Sequence, residues 1–417
     1  MKKYLTINSL IAYREQLAWF LIWFTLPLSI WYNSLSIVLG GIVFMVSFFR
    51  KPIKFNKSKL TIYILPVTLL IISVFSVNNE LFNIGLLKEI EQLLPLVAIP
   101  LLFLLSSINK KSFTQISLTG LVLSLTIAGI VMLLESLLEY TRTGLLSTFI
   151  YHNLSAPFNL GAVYFSFFLI VTLLQIDELE WISRIRFLNY IIIGFFLILL
   201  FLSASKLLLV TGIIVLILKY KHQIVRTIIR RKFLIPIAII LIALLIIPTG
   251  IRLKKISNPN IDLVTADSYK YDSPLNGLNL RLIQWRFGFE ILNEKKAWFT
   301  GVGIKNSQKI LNDKYIEYGI YTGYEGTSDT RYLNYNFHNQ FVEQLLRTGV
   351  VGLLILIMMF ITILVIPGSV RFVSNWIILV FFMFFLTESV LERQQGIVYF
   401  CLIYSSYFPL SKKQIQK

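Results

Sequence analysis

The sequence predicts an all-α polytopic membrane protein of about twelve transmembrane helices. Three observations carry that expectation. Hydrophobic residues make up 56% of the 417 positions, and the mean hydropathy is +0.74. Apolar runs of about 17–22 residues recur from end to end, each long enough to cross a ~30 Å hydrocarbon core. The basic residues cluster in alternate gaps between those runs, as the cytoplasmic loops of a membrane protein require. Spans must be helical, because hydrocarbon offers the backbone no hydrogen-bonding partner.

Taken in order, spans are expected near residues 16–33, 35–49, 60–77, 89–107, 116–138, 157–175, 187–203, 206–220, 233–249, 341–366, 372–388 and 395–410. The first follows Met1-Lys2-Lys3 but holds Trp19, Phe20 and Trp23 and no small-residue cleavage site, so it reads as a retained span. The second is short, and it precedes "RKPIKFNKSK", a loop with five basic residues. Lys110 and Lys111 precede the fifth, and Arg184 and Arg186 follow the sixth. Only "SASK" divides the seventh from the eighth, and "KYKHQIVRTIIRRK" follows the eighth with six basic residues. Arg371 lies between the tenth and eleventh, and Lys412, Lys413 and Lys417 follow the last. The other short loops hold only Lys88, Arg142, Lys206 and Arg393. This asymmetry places both termini inside. The net charge of +18 is therefore topology rather than a nucleic-acid footprint.

The exception is the stretch between the ninth and tenth spans, which divides the chain into residues 1–250, an outer loop domain at 251–340 and residues 341–417. The loop is rich in Asn, Tyr, Asp and Gly, and long loops translocate largely regardless of charge. Its segment "LRLIQWRFGFEILNEKK" has helical periodicity, with Leu282, Trp285, Phe289 and Leu292 on one face. Chemistry carried on this side has no ATP or nucleotide-sugar to draw on, so a donor is expected to arrive already activated, on a lipid. The single cysteine, Cys401, excludes an intramolecular disulfide, and three scattered histidines argue against a protein-built metal site. No cofactor is expected.

One of those histidines stands in "NYNFHNQFVEQLLRTGVVG", at the mouth of the tenth span. Steps of 100° from His338 put Val342, Leu345, Gly349 and Gly352 on its stripe, where glycines let a neighbouring backbone approach. An imidazole can take a proton from a hydroxyl near neutral pH. On geometry alone it serves as well as an interfacial polar residue. The wording, however, resembles the signature of the O-antigen ligase and polymerase superfamily: His338-Asn339, nine residues, Gly349, two residues, Gly352. About twelve spans with one long periplasmic loop between the ninth and tenth match that family's GT-C-like architecture. The resemblance implies that His338 is the catalytic base, supported by Asn339, with Gly349 and Gly352 in helix packing.

The resemblance also implies an undecaprenyl-diphosphate-linked glycan donor held by outward-facing cations. Lys206 in "LFLSASK" stands where the family has arginine after Ser-x-Ser; here Ser203 and Ser205 are kept, and lysine supplies a point charge instead of a bidentate fork. Arg281, followed by Trp285 and Gly301-Val302-Gly303, matches the family's second cation, with Arg286 as a supporting one. Arginine there can neutralise diphosphate oxygens and the charge of the leaving group. "GVG" alone reads as a turn. Glu135 and Glu139, Glu388 and Glu392, Arg393 and His152-Asn153 collect on the same side and could line an acceptor groove, each glutamate pair sharing a helix face. They serve equally as interfacial residues. His222 falls in the inner basic loop. The implied activity is a metal-independent, inverting transfer of a glycan to lipid A–core at the periplasmic face of a bacterial inner membrane. A polymerase joining lipid-linked repeat units is the alternative. A flippase is a further one, but it would need repeated halves and ionisable groups near the midplane.

Overall fold

A computed structural model describes residues 7–50, 57–76, 84–203, 206–230, 261–270, 273, 275–323, 331–365 and 375–407. Among these the regular structure is helical, with no strand. In chain order the helices are α1 (Ile7–Thr25), α2 (Ile30–Arg50), α3 (Lys57–Phe75), α4 (Ile84–Leu93), α5 (Pro95–Leu105), α6 (Lys110–Thr143), α7 (His152–Ser155), α8 (Ala162–Leu173), α9 (Glu180–Arg184), α10 (Arg186–Ser203), α11 (Lys206–Arg230), α12 (Ile261–Thr265), α13 (Gly277–Glu294), α14 (Ser307–Glu317), α15 (Gln340–Val365), α16 (Asn375–Phe385) and α17 (Gln394–Ser406).

Among the described residues α2, α6, α10 and α15 are each long and apolar enough to cross a membrane, which marks an integral membrane protein. A fifth candidate is a bent pair, His152–Phe158 and Ala162–Leu173, with 86° between its halves. The expected span at 233–249 lies outside the described residues.

Several boundaries differ from the hydropathy reading for local chemical reasons. The first turn falls at residues 26–29 instead of 34, because Pro27 cannot continue a helix. Asn33 then sits inside α2 and donates to the Ile22 carbonyl at 2.8 Å, tying α2 to α1. The run at 89–107 is split before Pro95 into a polar-faced α4 and an apolar α5. The run at 157–175 is broken by Pro157, by Asn159 in the left-handed region (φ 49°) and by Gly161. What remains, α8, is buried at every position and stands at the centre of the bundle.

The main core is aromatic. Phe167 of α8 stacks on Phe384 of α16 at 4.5 Å and meets Tyr399 of α17 edge-on at 5.4 Å. Trp23 of α1 meets the same Tyr399 ring at 5.9 Å. Such pairs favour tilted and offset geometries over a face-to-face sandwich.

A second core is separate from the first. It gathers Ile283, Phe287 and Ile291 of α13, Leu311 and Tyr315 of α14, Phe337, and Leu345 and Leu346 of α15. The buried face of α13 thus runs through Leu280, Ile283, Phe287 and Ile291, whereas the expected face fails in part: Leu282 and Trp285 are only half-buried and Phe289 is exposed. Both faces carry apolar residues at helical spacing, and periodicity could not choose between them. Burial pushes the Tyr315 hydroxyl up and keeps it neutral; it accepts from Gln284 at 2.9 Å and donates to the Tyr335 carbonyl at 3.0 Å.

Candidate active site

The site is assembled from three short connections: the approach to α15, the first turns of α13, and residues 386–393 between α16 and α17. Asn276 caps α13, its Oδ1 accepting from the amides of Leu278 and Asn279 at 2.9 Å each. One turn after Arg281, the Trp285 indole donates to the Phe337 carbonyl at 2.8 Å. That bond fixes the residue immediately before His338.

His338 is not on the helix. Its φ of 45° is in the left-handed region, an uncommon conformation for a side chain with a Cβ. Its amide donates to Asn336 Oδ1 at 3.0 Å, which holds that backbone in place. Asn339 is the cap of α15, accepting from the amides of Phe341 and Val342 at 2.9 and 3.2 Å. The 100° stepping from His338 therefore starts two residues before the helix does. The stripe it implied is also interrupted at Gly349, where φ 67° and ψ −170° break α15.

The imidazole Nδ1 lies 3.2 Å from Glu388 Oε2, and Arg281 Nη2 lies 3.6 Å from Glu388 Oε1. One carboxylate thus joins the expected base to the expected cation, with all three side chains between 16% and 33% exposed. The Tyr335 ring meets the imidazole edge-on at 6.1 Å. Tyr151 and His152 face the same group, Glu388 and Arg281 acting electrostatically on the first and Glu388, Arg393 and His338 on the second. Arg393 lies over the Tyr164 ring at 5.8 Å.

A buried network lies behind this front. Arg347 is ion-paired to Glu343 at 2.7 Å and to Glu392. Asn336 Nδ2 donates to Glu392, Ser389 donates to Glu343 at 3.2 Å, and the Leu391 amide donates to Gln340 at 2.6 Å. Ser389, Leu391 and Glu392 therefore dock the segment 386–393 on the first turns of α15. Glu388 and Glu392 do not share a helix face: α16 ends at Phe385, and Glu392 ends a 3₁₀ turn, Val390–Glu392.

The glycines act through the backbone. At the Gly349 break the Val350 amide donates to the Trp298 carbonyl at 2.7 Å, and a Cβ on Gly349 would collide with the Phe299 carbonyl. Val302 and Gly303 donate to the carbonyls of Leu346 and Arg347 at 2.8 and 3.0 Å, and Gly301 turns with φ 72°. Gly301-Val302-Gly303 is thus a turn laid against α15. A Cβ on Gly352 would collide with the side chain of Thr348.

Other candidates are placed elsewhere. Arg286 is held by Glu290 at 2.6 Å and by the carbonyls of Val264 and Ala266 at 3.0 and 2.8 Å. Among the described residues no hydrogen bond or ion pair joins it to His338 or Glu388. Lys206 opens α11, near the end of α10 where Leu202 accepts from the Tyr151 amide at 2.9 Å; its side chain and all of Ser205 lie outside the described residues. Glu135 and Glu139 are exposed on α6, and Glu139 pairs with Arg142 at 3.6 Å. The residues that sequence reasoning passed over are Asn336, Glu343 and Arg347. An arginine at the eighth position of a largely apolar helix is the signal that could have found them, since such a charge must be paired.

No curated protein matches this chain. Residues 188–357 match a family model described as O-antigen ligase, a stretch that holds Lys206, Arg281, His338, Gly349 and Gly352, and the match supports placing the chain in the O-antigen ligase superfamily.

Proposed function

We propose that the protein is a membrane glycosyltransferase that moves a glycan from undecaprenyl diphosphate to a sugar hydroxyl of lipid A–core. In this reading residues 251–340 form a periplasmic loop domain, residues 1–250 and 341–417 supply about twelve spans, and both termini are cytoplasmic. The observation that carries it is the His338–Glu388–Arg281 chain, at 3.2 and 3.6 Å. A base, the carboxylate that orients it and a cation for an anionic leaving group stand side by side.

With Nδ1–H donating to the Glu388 carboxylate, Nε2 is left free as the basic nitrogen. Nε2 takes the acceptor hydroxyl proton as that oxygen attacks the anomeric carbon. The bond from that carbon to the diphosphate oxygen breaks, and its electron pair leaves with undecaprenyl diphosphate. Arg281 and Lys206 neutralise the departing charge, so the chemistry calls for neither nucleotide nor metal. Attack opposite the leaving group inverts the anomeric centre.

The test is transfer by purified protein from a labelled undecaprenyl-diphosphate glycan to lipid A–core, in a chelating buffer without nucleotide. Wild type is expected to label lipid A–core, and His338→Ala to lose at least about 10²-fold of that rate. Label growing only into longer lipid-linked chains makes the enzyme a polymerase. A folded His338→Ala that keeps full activity removes His338 from the chemistry.

A further inference from the structure

We propose that the turn after α13, residues 295–300, is a membrane-interface anchor that beds the second core on an anionic lipid headgroup layer. Lys295, Lys296, Trp298 and Phe299 are all exposed there. Phe299 is 75% exposed and Trp298 36%, and Trp298 stacks at 6.1 Å on Phe289, itself 42% exposed. Three large rings open together here, whereas Phe287 and Tyr315 of the second core are fully buried. A contiguous apolar patch of this kind marks a contact surface.

The neighbouring element says what covers it. The turn is bonded to α15 at the Gly349 break, through the Val350 amide on the Trp298 carbonyl and the Val302 amide on the Leu346 carbonyl. Val350 and Leu353 are half-covered by the second core. Beyond them the exposed positions of α15 are Val351, Leu354, Ile357, Met358, Ile361, Leu364 and Val365, all apolar. That face belongs to a helix able to cross a membrane, so it faces lipid. Trp298 and Phe299 meet α15 through the backbone at Val350 and Gly349, where that face begins. Aromatic rings flanked by lysines, at the end of a lipid-facing face, suit the boundary between acyl chains and anionic headgroups. The Trp298 indole donates to Asn293 at 2.8 Å, which fixes its ring against Phe289. Because α13 runs without a break from Gly277 to Glu294, the anchor at its end bears on the height of Arg281, about 20 Å away along the axis. The inference does not rest on the reaction proposed above.

The test uses full-length protein in nanodiscs of phosphatidylethanolamine and phosphatidylglycerol. A Phe299→Cys variant in a Cys401→Ala background carries an environment-sensitive fluorophore, and Asp313→Cys on α14 is the comparison. Spin-labelled lipids with the nitroxide near the headgroup are expected to quench the label at 299 about threefold more than the label at 313. Lys295→Gln with Lys296→Gln is expected to reduce that quenching in phosphatidylglycerol discs and leave it unchanged in purely zwitterionic ones. Equal, water-like signals at 299 and 313 overturn the proposal. Burial of the label that follows protein density, with no quenching by lipid, overturns it in favour of a second copy on the patch.

Discussion

His338 is held at two places, and each hold makes a separate expectation. Asn336 fixes its backbone, and Glu388 fixes its ring. Glu388→Gln keeps the size and can still accept a hydrogen bond, but it loses the charge that stabilises an imidazolium. Its kcat is expected to fall about 10²-fold, with the donor KM little changed. An unchanged kcat removes Glu388 from the reaction. Arg281→Lys keeps a cation but loses the planar fork, and is expected to raise the donor KM about tenfold; an unchanged KM would mean that Arg281 does not hold the diphosphate. At this scale the sequence was half legible. His338 and Arg281 stand in recognisable words, and the structure brings them to one carboxylate. Glu388 lies fifty residues beyond His338, and its spacing from Glu392 suggested a helix face. Only the turn after α16 sends the two glutamates to different partners.

Elements were legible where hydrophobic length alone decides them, as in α6, α10 and α15. They were not where a short run is buried from all sides, because α8 needs no lipid-facing length and can stop after three turns. Nor can hydropathy register a break such as Gly349, because the helical pattern resumes directly after it with Val350 and Val351. The break is nonetheless what docks the turn at 298–303. Gly349→Ala would meet both the left-handed backbone and the Phe299 carbonyl. The backbone strain alone is worth about 1–3 kcal/mol, so a lowered melting temperature and impaired transfer are expected together. Gly194 of α10 has nothing within 4 Å of an added Cβ. Gly194→Ala is expected to stabilise by about 0.4–1 kcal/mol. Equal behaviour of the two variants in thermal unfolding would deny the Gly349 break its special place.

On the scale of the molecule, two hydrophobic cores meet along α15. The second core borrows Leu345 and Leu346 from it, whereas Ile355, Leu356 and Met359, a turn or more further on, belong to the first. Arg347 lies between them and pairs with Glu343 on its own helix and with Glu392 beyond α16. Apolar contact cannot set the angle between two cores joined through a helix broken at Gly349, because it is non-directional. A buried ion pair with defined geometry can. Removing one partner of a buried pair leaves the others uncompensated, at a cost of about 3–5 kcal/mol. Arg347→Met is therefore expected to lower the unfolding temperature and to loosen residues 386–393, read as faster amide exchange at Leu391 and Glu392. Adding Glu343→Gln and Glu392→Gln removes the orphaned charges. The triple variant should recover most of the stability but not the transfer rate, since Asn336 would no longer be held against a fixed carboxylate. If the triple variant regains activity as well, the network contributes to stability alone, and the placing of His338 belongs to Trp285 and Glu388.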